Sequence, residues 1–294
     1  MVTAHADSSD PEDNPGDDSP PGLDLAAVDC QASDISLGLV RTCTCRSAEN
    51  VCPKCYLQDD ANAGLINCYA PCDSDNRECK ACDIFYGGVC NCLKIMSGIS
   101  TGTKCIGNTA WQGPGNGLPP VWILGSDSSL GSRLISSTIL NTGIDQLANI
   151  PDNNAGWTLG LQHIDTSKQA LAINSRARRS RDEIHIHLCN KLTGANSPQV
   201  RLATLNPSNY VTFQAIGSWY CKATKPTIPV KPNTDSWQTR PSTDYLAWVA
   251  TTVAAVNSIN NQGFALLTDT NNNYLWQCIT TLETDVTEYT FCGP

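Results

Sequence analysis

Polar and apolar residues alternate strictly through Glu183-Ile-His-Ile-His-Leu-Cys189. A period of two marks a half-buried β-strand. It places Glu183, His185, His187 and Cys189 on one face, and Ile184, Ile186 and Leu188 on the other. A second apolar run, Ala170-Leu-Ala-Ile173, comes before it, and the turn between the two carries Arg176, Arg178, Arg179 and Arg181. The pattern predicts a hairpin over residues 169–189. Around it, Trp157, Leu161 and Ile164 recur at helical spacing and predict a helix over 154–164. Residues 134–149 and 198–205 are also predicted helical. Ser242-Thr243-Asp244 can cap a helix reaching about residue 259, with Leu246, Val249, Val253 and Val256 on one face. Strands are predicted at 121–124, 210–215, 218–223, 263–269, 273–279 and 286–291. This order is that of an α+β fold, an antiparallel sheet with helices on one side.

The chain before residue 107 lacks such patterning. Residues 1–24 hold Asp7, Asp10, Glu12, Asp13, Asp17, Asp18 and Asp24 with no Lys or Arg, and almost no large apolar side chain. Such a segment cannot bury enough surface to offset its ordering entropy, so a disordered acidic tail is expected. Residues 25–106 hold twelve of the sixteen cysteines. Apolar content between them is modest, so disulfides are expected to replace a large core. Cys52-Pro-Lys-Cys55 and Cys79-Lys-Ala-Cys82 have zinc-ribbon spacing, but this unit has no histidine and more cysteines than a zinc site uses. Cys30 is the candidate for a bond to the later cysteines. Residues 106–120 are rich in Gly and Pro and read as a linker. The main domain is expected over 107–294.

Charge changes the picture little. The net charge is −9, and removing the seven tail carboxylates from the 28 acidic residues leaves 21 against 19 basic ones. No nucleic-acid partner is expected of such a chain. No apolar run is long enough for a membrane span. The even, high cysteine count points to an oxidising compartment and thus to a secreted or extracellular protein. The opening Met-Val-Thr-Ala-His-Ala is too short and too polar for a signal peptide, so a leader is expected to have been removed.

The hairpin carries the candidate chemistry. Two of the four histidines lie side by side on one strand face, next to four arginines. Guanidinium forks pair phosphate oxygens, and a neutral imidazole can attack phosphorus to give a phospho-histidine. His187 lies about 6–7 Å along the strand from His185. There it can protonate a leaving oxygen or hold a non-bridging one. Asn174 and Ser175 close the opposing strand and can bind the same phosphate. A metal half-site on the two histidines would need a third ligand, for which only His163 and Glu183 offer themselves. No metal or cofactor is expected.

Ala170-Leu-Ala-Ile-Asn-Ser-Arg176, the basic turn, and Ile184-His-Ile-His-Leu-Cys189 together resemble the signature of the CDP-diacylglycerol pyrophosphatases, of the histidine-triad (HIT-like) superfamily. The resemblance covers about residues 120–294, is specific over 170–189, and leaves out the Cys-rich unit. It implies a HIT-like antiparallel sheet with flanking helices and a small or lipid-linked diphosphate substrate. It also implies a nucleotidyl intermediate on His185, with His187 as the last histidine of the pattern. Asn174, Ser175 and Arg176 match phosphate contacts. Glu183 stands where the family has its first histidine. A carboxylate there can orient His185, or turn the site toward acid/base chemistry such as that of a lyase, isomerase or cyclase. A non-catalytic extracellular binding protein is the third expectation.

Overall fold

A computed structural model describes residues 28–45, 53–56, 67–71, 79–102, 104–113, 115–125, 133–140, 144–175, 183–225, 240–252, 262–271, 274–282 and 285–293, with only the backbone course given over 53–86. The acidic tail, the Arg176–Arg181 turn and residues 253–260 lie outside the described residues, as does most of the loop at 224–241. The elements run α1 (Ala32–Ser36), β1 (Pro53–Tyr56), β2 (Asn67–Pro71), α2 (Cys79–Met96), β3 (Cys105–Gly107), β4 (Trp122–Gly125) and β5 (Leu134–Ser137). A 3-10 turn (Ile144–Asn149) and α3 (Ala155–His163) lead into the hairpin, β6 (Gln169–Ile173) and β7 (His185–Asn190). Then follow α4 (Pro198–Ala203), a 3-10 turn (Pro207–Tyr210), β8 (Gln214–Ile216), β9 (Trp219–Thr224), α5 (Pro241–Thr252), β10 (Gly263–Thr268), β11 (Leu275–Thr280) and α6 (Thr287–Phe291).

Nine strands form one antiparallel sheet in the order β3-β4-β5-β7-β6-β10-β11-β9-β8, and β1 and β2 pair separately. The predicted hairpin thus occupies the middle of the sheet, with β6 as the central strand. Mixed α+β architecture and the large antiparallel sheet agree with the sequence reading. Helices on one side only do not. Every residue of β10 and β11 is buried, so both faces of these strands are covered. On one face, α3 and α5 pack over Ile135, Leu171, Ile173, Ile184, Ile186, Leu188, Phe264 and Leu266. Ser242 joins the two helices: its hydroxyl donates to the Asn153 carbonyl (2.6 Å) and accepts from Trp157 Nε1 (3.0 Å). The opposite face holds Ala170, Ala172, Ala265, Leu267, Trp276 and Cys278, covered by α4 and α6 through Leu202 and Phe291.

Three local expectations are corrected. Residues 134–137 form a strand, and only 144–149 are helical; the β-branched and hydroxyl residues Ile135-Ser-Ser-Thr138 favour extended backbone once a sheet accepts them. The strand expected at 210–215 starts later, at Gln214, behind the 3-10 turn that Asn206 caps by accepting from the Ser208 amide. Residues 287–291 are helical rather than extended. Their amphipathic burial, Thr287 and Phe291 inward and Tyr289 outward, fits the helical i, i+4 spacing.

Disulfides join Cys30–Cys43, Cys45–Cys90, Cys92–Cys105, Cys189–Cys292 and Cys221–Cys278. Cys30 therefore bonds within its own unit, and the four later cysteines bond to one another. The side chains of Cys52, Cys55, Cys79 and Cys82 lie outside the described residues. The Cys-rich segment is packed on the sheet: α2 lies against β3, β4 and β5, and Cys30, Cys90, Cys92 and Leu93 share a cluster with Ile123 and Leu134. The expected linker joins the same cluster through the buried Trp111. Among the described residues no helix is long and apolar enough to cross a membrane.

Gly263 opens β10 where α6 begins. A Cβ there would fall on Thr287 Oγ1 and also press on the Ile173 carbonyl. Gly263→Ala is expected to lower stability by about 1–3 kcal/mol through overpacking, read as a reduced urea midpoint with an unchanged m-value.

Candidate functional site

The sheet register aligns Gly125, Leu134, His187, Ala172, Ala265, Cys278 and Cys221 in one row across β4, β5, β7, β6, β10, β11 and β9. Ile123, Ser136 and His185 form the neighbouring row. Both histidines therefore belong to the face that carries the Cys-rich cluster on one side, through Ile123 and Leu134, and α6 on the other, over Ala172 and Ala265. The alanines matter here: short side chains beside His187 leave room for a helix to come down onto the sheet. The ladder between β6 and β7 ends at Ala172–His187, and from there His185 pairs with Ser136 of β5.

Each imidazole has its Nδ1 engaged. His185 Nδ1 lies 2.7 Å from the Glu183 main-chain carbonyl. A carbonyl can only accept, so Nδ1 carries the proton and the Nε2 of the neutral ring carries the lone pair. His187 Nδ1 lies 3.2 Å from Glu288 Oε1 on α6. The ring centroids are 4.8 Å apart, tilted by 65°. His185 is buried, His187 is half-buried, and His187 Nε2 has no hydrogen-bond partner among the described residues.

Glu288 is held on both sides. Asn174 Nδ2 donates to Glu288 Oε2 (3.3 Å), and the Glu288 amide donates to Asn174 Oδ1 (2.9 Å). The hydrogen bond from His187 holds the Glu288 carboxyl below its ordinary value of 4.5. Burial opposes this shift, while the charge of His187, the Asn174 hydrogen bond and the charge of His185 add to it. Glu288 is thus an anion at neutral pH, facing an imidazole whose other nitrogen has no hydrogen-bond partner among the described residues.

Of the residues singled out in the sequence, His185, His187 and Asn174 are brought together, Asn174 by way of Glu288. Glu183 is buried and meets His185 through its carbonyl. Ser175 is fully buried, and its hydroxyl has no hydrogen-bond partner among the described residues. Arg176, Arg178, Arg179 and Arg181 lie outside the described residues. His163 ends α3, whose apolar side chains pack on the other face, and burial with nearby Arg133 and Lys104 lowers its pKa.

Two residues were missed. Ser136, opposite His185, donates from its hydroxyl to the Ile184 carbonyl (3.0 Å) and steadies the entry to β7. Glu288 sits in a segment whose extended reading concealed its helical i, i+4 relation to Cys292. That spacing sets Glu288 one turn from the bond to Cys189 on the histidine strand, a pairing the sequence does not reveal. Comparison with the models of known protein families and with curated proteins gives no match.

The folded Glu288 carboxyl titrates below the unfolded one, so the unfolded chain binds protons first as pH falls. The contribution of the Glu288 carboxylate is therefore in place above pH 4.5 and is lost as pH drops through the lower folded value. Glu288→Gln should weaken the acid dependence of the urea midpoint in this window, with the wild-type and variant curves converging toward low pH.

Proposed function

We propose that the protein is an extracellular phosphohydrolase of HIT-like type that cleaves the diphosphate of a CDP-lipid or nucleotide-like substrate through His185. The observation that carries this reading is the tautomer of His185. Its Nδ1 proton is committed to a main-chain carbonyl, so in the neutral ring the lone pair is on Nε2, in a side chain buried from bulk water. A neutral imidazole so held can act as a nucleophile. The resemblance of residues 170–189 to the CDP-diacylglycerol pyrophosphatases supports the same assignment, and the disulfides suit an oxidising, extracellular setting. Residues 107–294 would form the catalytic domain. The disulfide-stapled segment before it, packed beside the histidine rows, would form a wall of the site.

In the first step the His185 Nε2 lone pair forms a bond to phosphorus. The P–O bond to the departing phosphate breaks, its electron pair staying on that oxygen. In the second, water adds to phosphorus and passes a proton to His187, the P–N bond breaks, and its electron pair returns to Nε2. Asn174, Ser175 and the arginines of the 176–181 turn are assigned to the phosphate oxygens.

The His187–Glu288 pair favours a second reading, acid/base chemistry on another metabolite without a covalent step. Rapid quench separates the two: the hydrolase traps a nucleotidyl group on His185, whereas the acid/base enzyme traps none.

CDP-diacylglycerol and a panel of nucleotide-sugars are the substrates to assay. Turnover is expected, with His185→Ala lowering kcat by at least about 10³-fold. No turnover between pH 5 and 8, with wild type and His185→Ala indistinguishable, would sink the proposal.

A further inference from the structure

The histidine strand and α6 meet at two matched points. His187 and Cys189 are two residues apart on β7, about 6–7 Å by strand rise. Glu288 and Cys292 are four apart at α6, about 6 Å by helical rise, and the Cys292 amide donates to the Glu288 carbonyl (2.7 Å) as that turn requires. One point of contact is the Cys189–Cys292 bond, and the other is the His187–Glu288 pair at 3.2 Å. Asn174, leaving β6, binds Glu288 at both its amide and its carboxylate. Thr287 Oγ1 and Thr280 Oγ1 share a hydrogen bond (2.7 Å) that ties the start of the helix to β11. Gly263 gives it space over β10. The Glu288 carboxylate is therefore fixed by three strands and a covalent bond, a degree of restraint that a chance surface ion pair does not have.

We infer that Glu288 is the positioning residue for proton transfer in this site. It accepts the Nδ1 proton of His187, aims Nε2 at the reacting phosphate, and balances the charge on the ring when both nitrogens are protonated. The Cys189–Cys292 bond holds it there. This rests on the phosphohydrolase reading. As His185 Nε2 attacks and the P–O bond breaks toward oxygen, the departing oxygen takes the Nε2 proton of a His187 ring that enters protonated at both nitrogens and is left neutral. As water then adds and the P–N bond breaks toward His185, His187 Nε2 takes a proton from that water. The couple ends the cycle as it began.

The test uses the full chain with two esters of cytidine 5′-phosphate, phenyl and 4-nitrophenyl. Phenolate leaves poorly unless protonated, and 4-nitrophenolate leaves without help. Glu288→Gln keeps an acceptor for Nδ1 but removes the charge. It is expected to lose about 10²-fold in kcat on the phenyl ester and only a few-fold on the 4-nitrophenyl ester. Glu288→Asp should recover part of the difference. The double variant Cys189→Ser/Cys292→Ser should show the same selective loss. Equal losses on both esters, or none, would overturn the proton-transfer role. In parallel, ¹⁵N NMR at a pH where the imidazoles are neutral should show His187 with its proton on Nδ1 in the wild type and a tautomer mixture in Glu288→Ala. An unchanged tautomer would overturn the positioning role. If the wild type turns over neither ester nor any diphosphate, the phosphohydrolase reading falls and the proton-transfer role with it, and NMR still decides whether Glu288 sets the ring.

Discussion

Two imidazoles placed side by side on the inner face of a sheet need partners, because a buried polar nitrogen left unpaired costs about 1–3 kcal/mol. Strand geometry restricts where those partners come from. Backbone groups within a ladder are already paired, so only the end of a strand or an element lying over the sheet can serve. His185, at the first position of β7, uses the carbonyl of Glu183 just outside the strand. His187, one pleat further in, has no such edge and takes a carboxylate from α6 instead. The difference in depth gives two chemically identical side chains unequal partners. An acceptor that is neutral favours a neutral ring, and one that is charged tolerates a charged ring.

Much of the surrounding structure follows from bringing α6 within reach of His187. Ala172 and then Ala265 follow that histidine on one side of its row, and larger residues there would hold the helix away. On the far side of the row, Leu134 belongs to the cluster built by the disulfide-linked segment, so the histidine strip lies between two covalently reinforced walls. The other face of the sheet is conventional by comparison: aliphatic side chains under α3 and α5 supply the burial that keeps β6 and β7 in register.

The central hairpin was legible because strict alternation over seven residues has only one reading as backbone, and the faces it assigned are those observed: Ile184, Ile186 and Leu188 in the core under α3, and the histidines opposite. The helices at 155–163 and 198–203 and the hairpin of β10 and β11 were legible from spacing and turn residues in the same way. What escaped was everything set by long-range contact. Leu134–Ser137 is a strand because β4 and β7 offer hydrogen bonds on both sides, which no local propensity announces. The partner of Cys189 cannot be read from cysteine spacing, and without it nothing ties Glu288 to His187. Five-residue segments such as 287–291 are compatible with either period, so a carboxylate that meets the site only through tertiary packing was invisible there.

The Cys189–Cys292 bond spans 103 residues of chain. Ribosomes deliver that interval in order: both histidines first, then four further strands, and the carboxylate after all of them. A nascent or truncated chain that stops short of residue 288 contains the whole histidine hairpin and lacks the group that holds His187. Closing so long a loop costs less entropy once β8 to β11 have docked, so the pairing of His187 with Glu288 is expected late in assembly. The same bond thus fastens the sheet's last helix and the partner of His187, and forming it takes an oxidant.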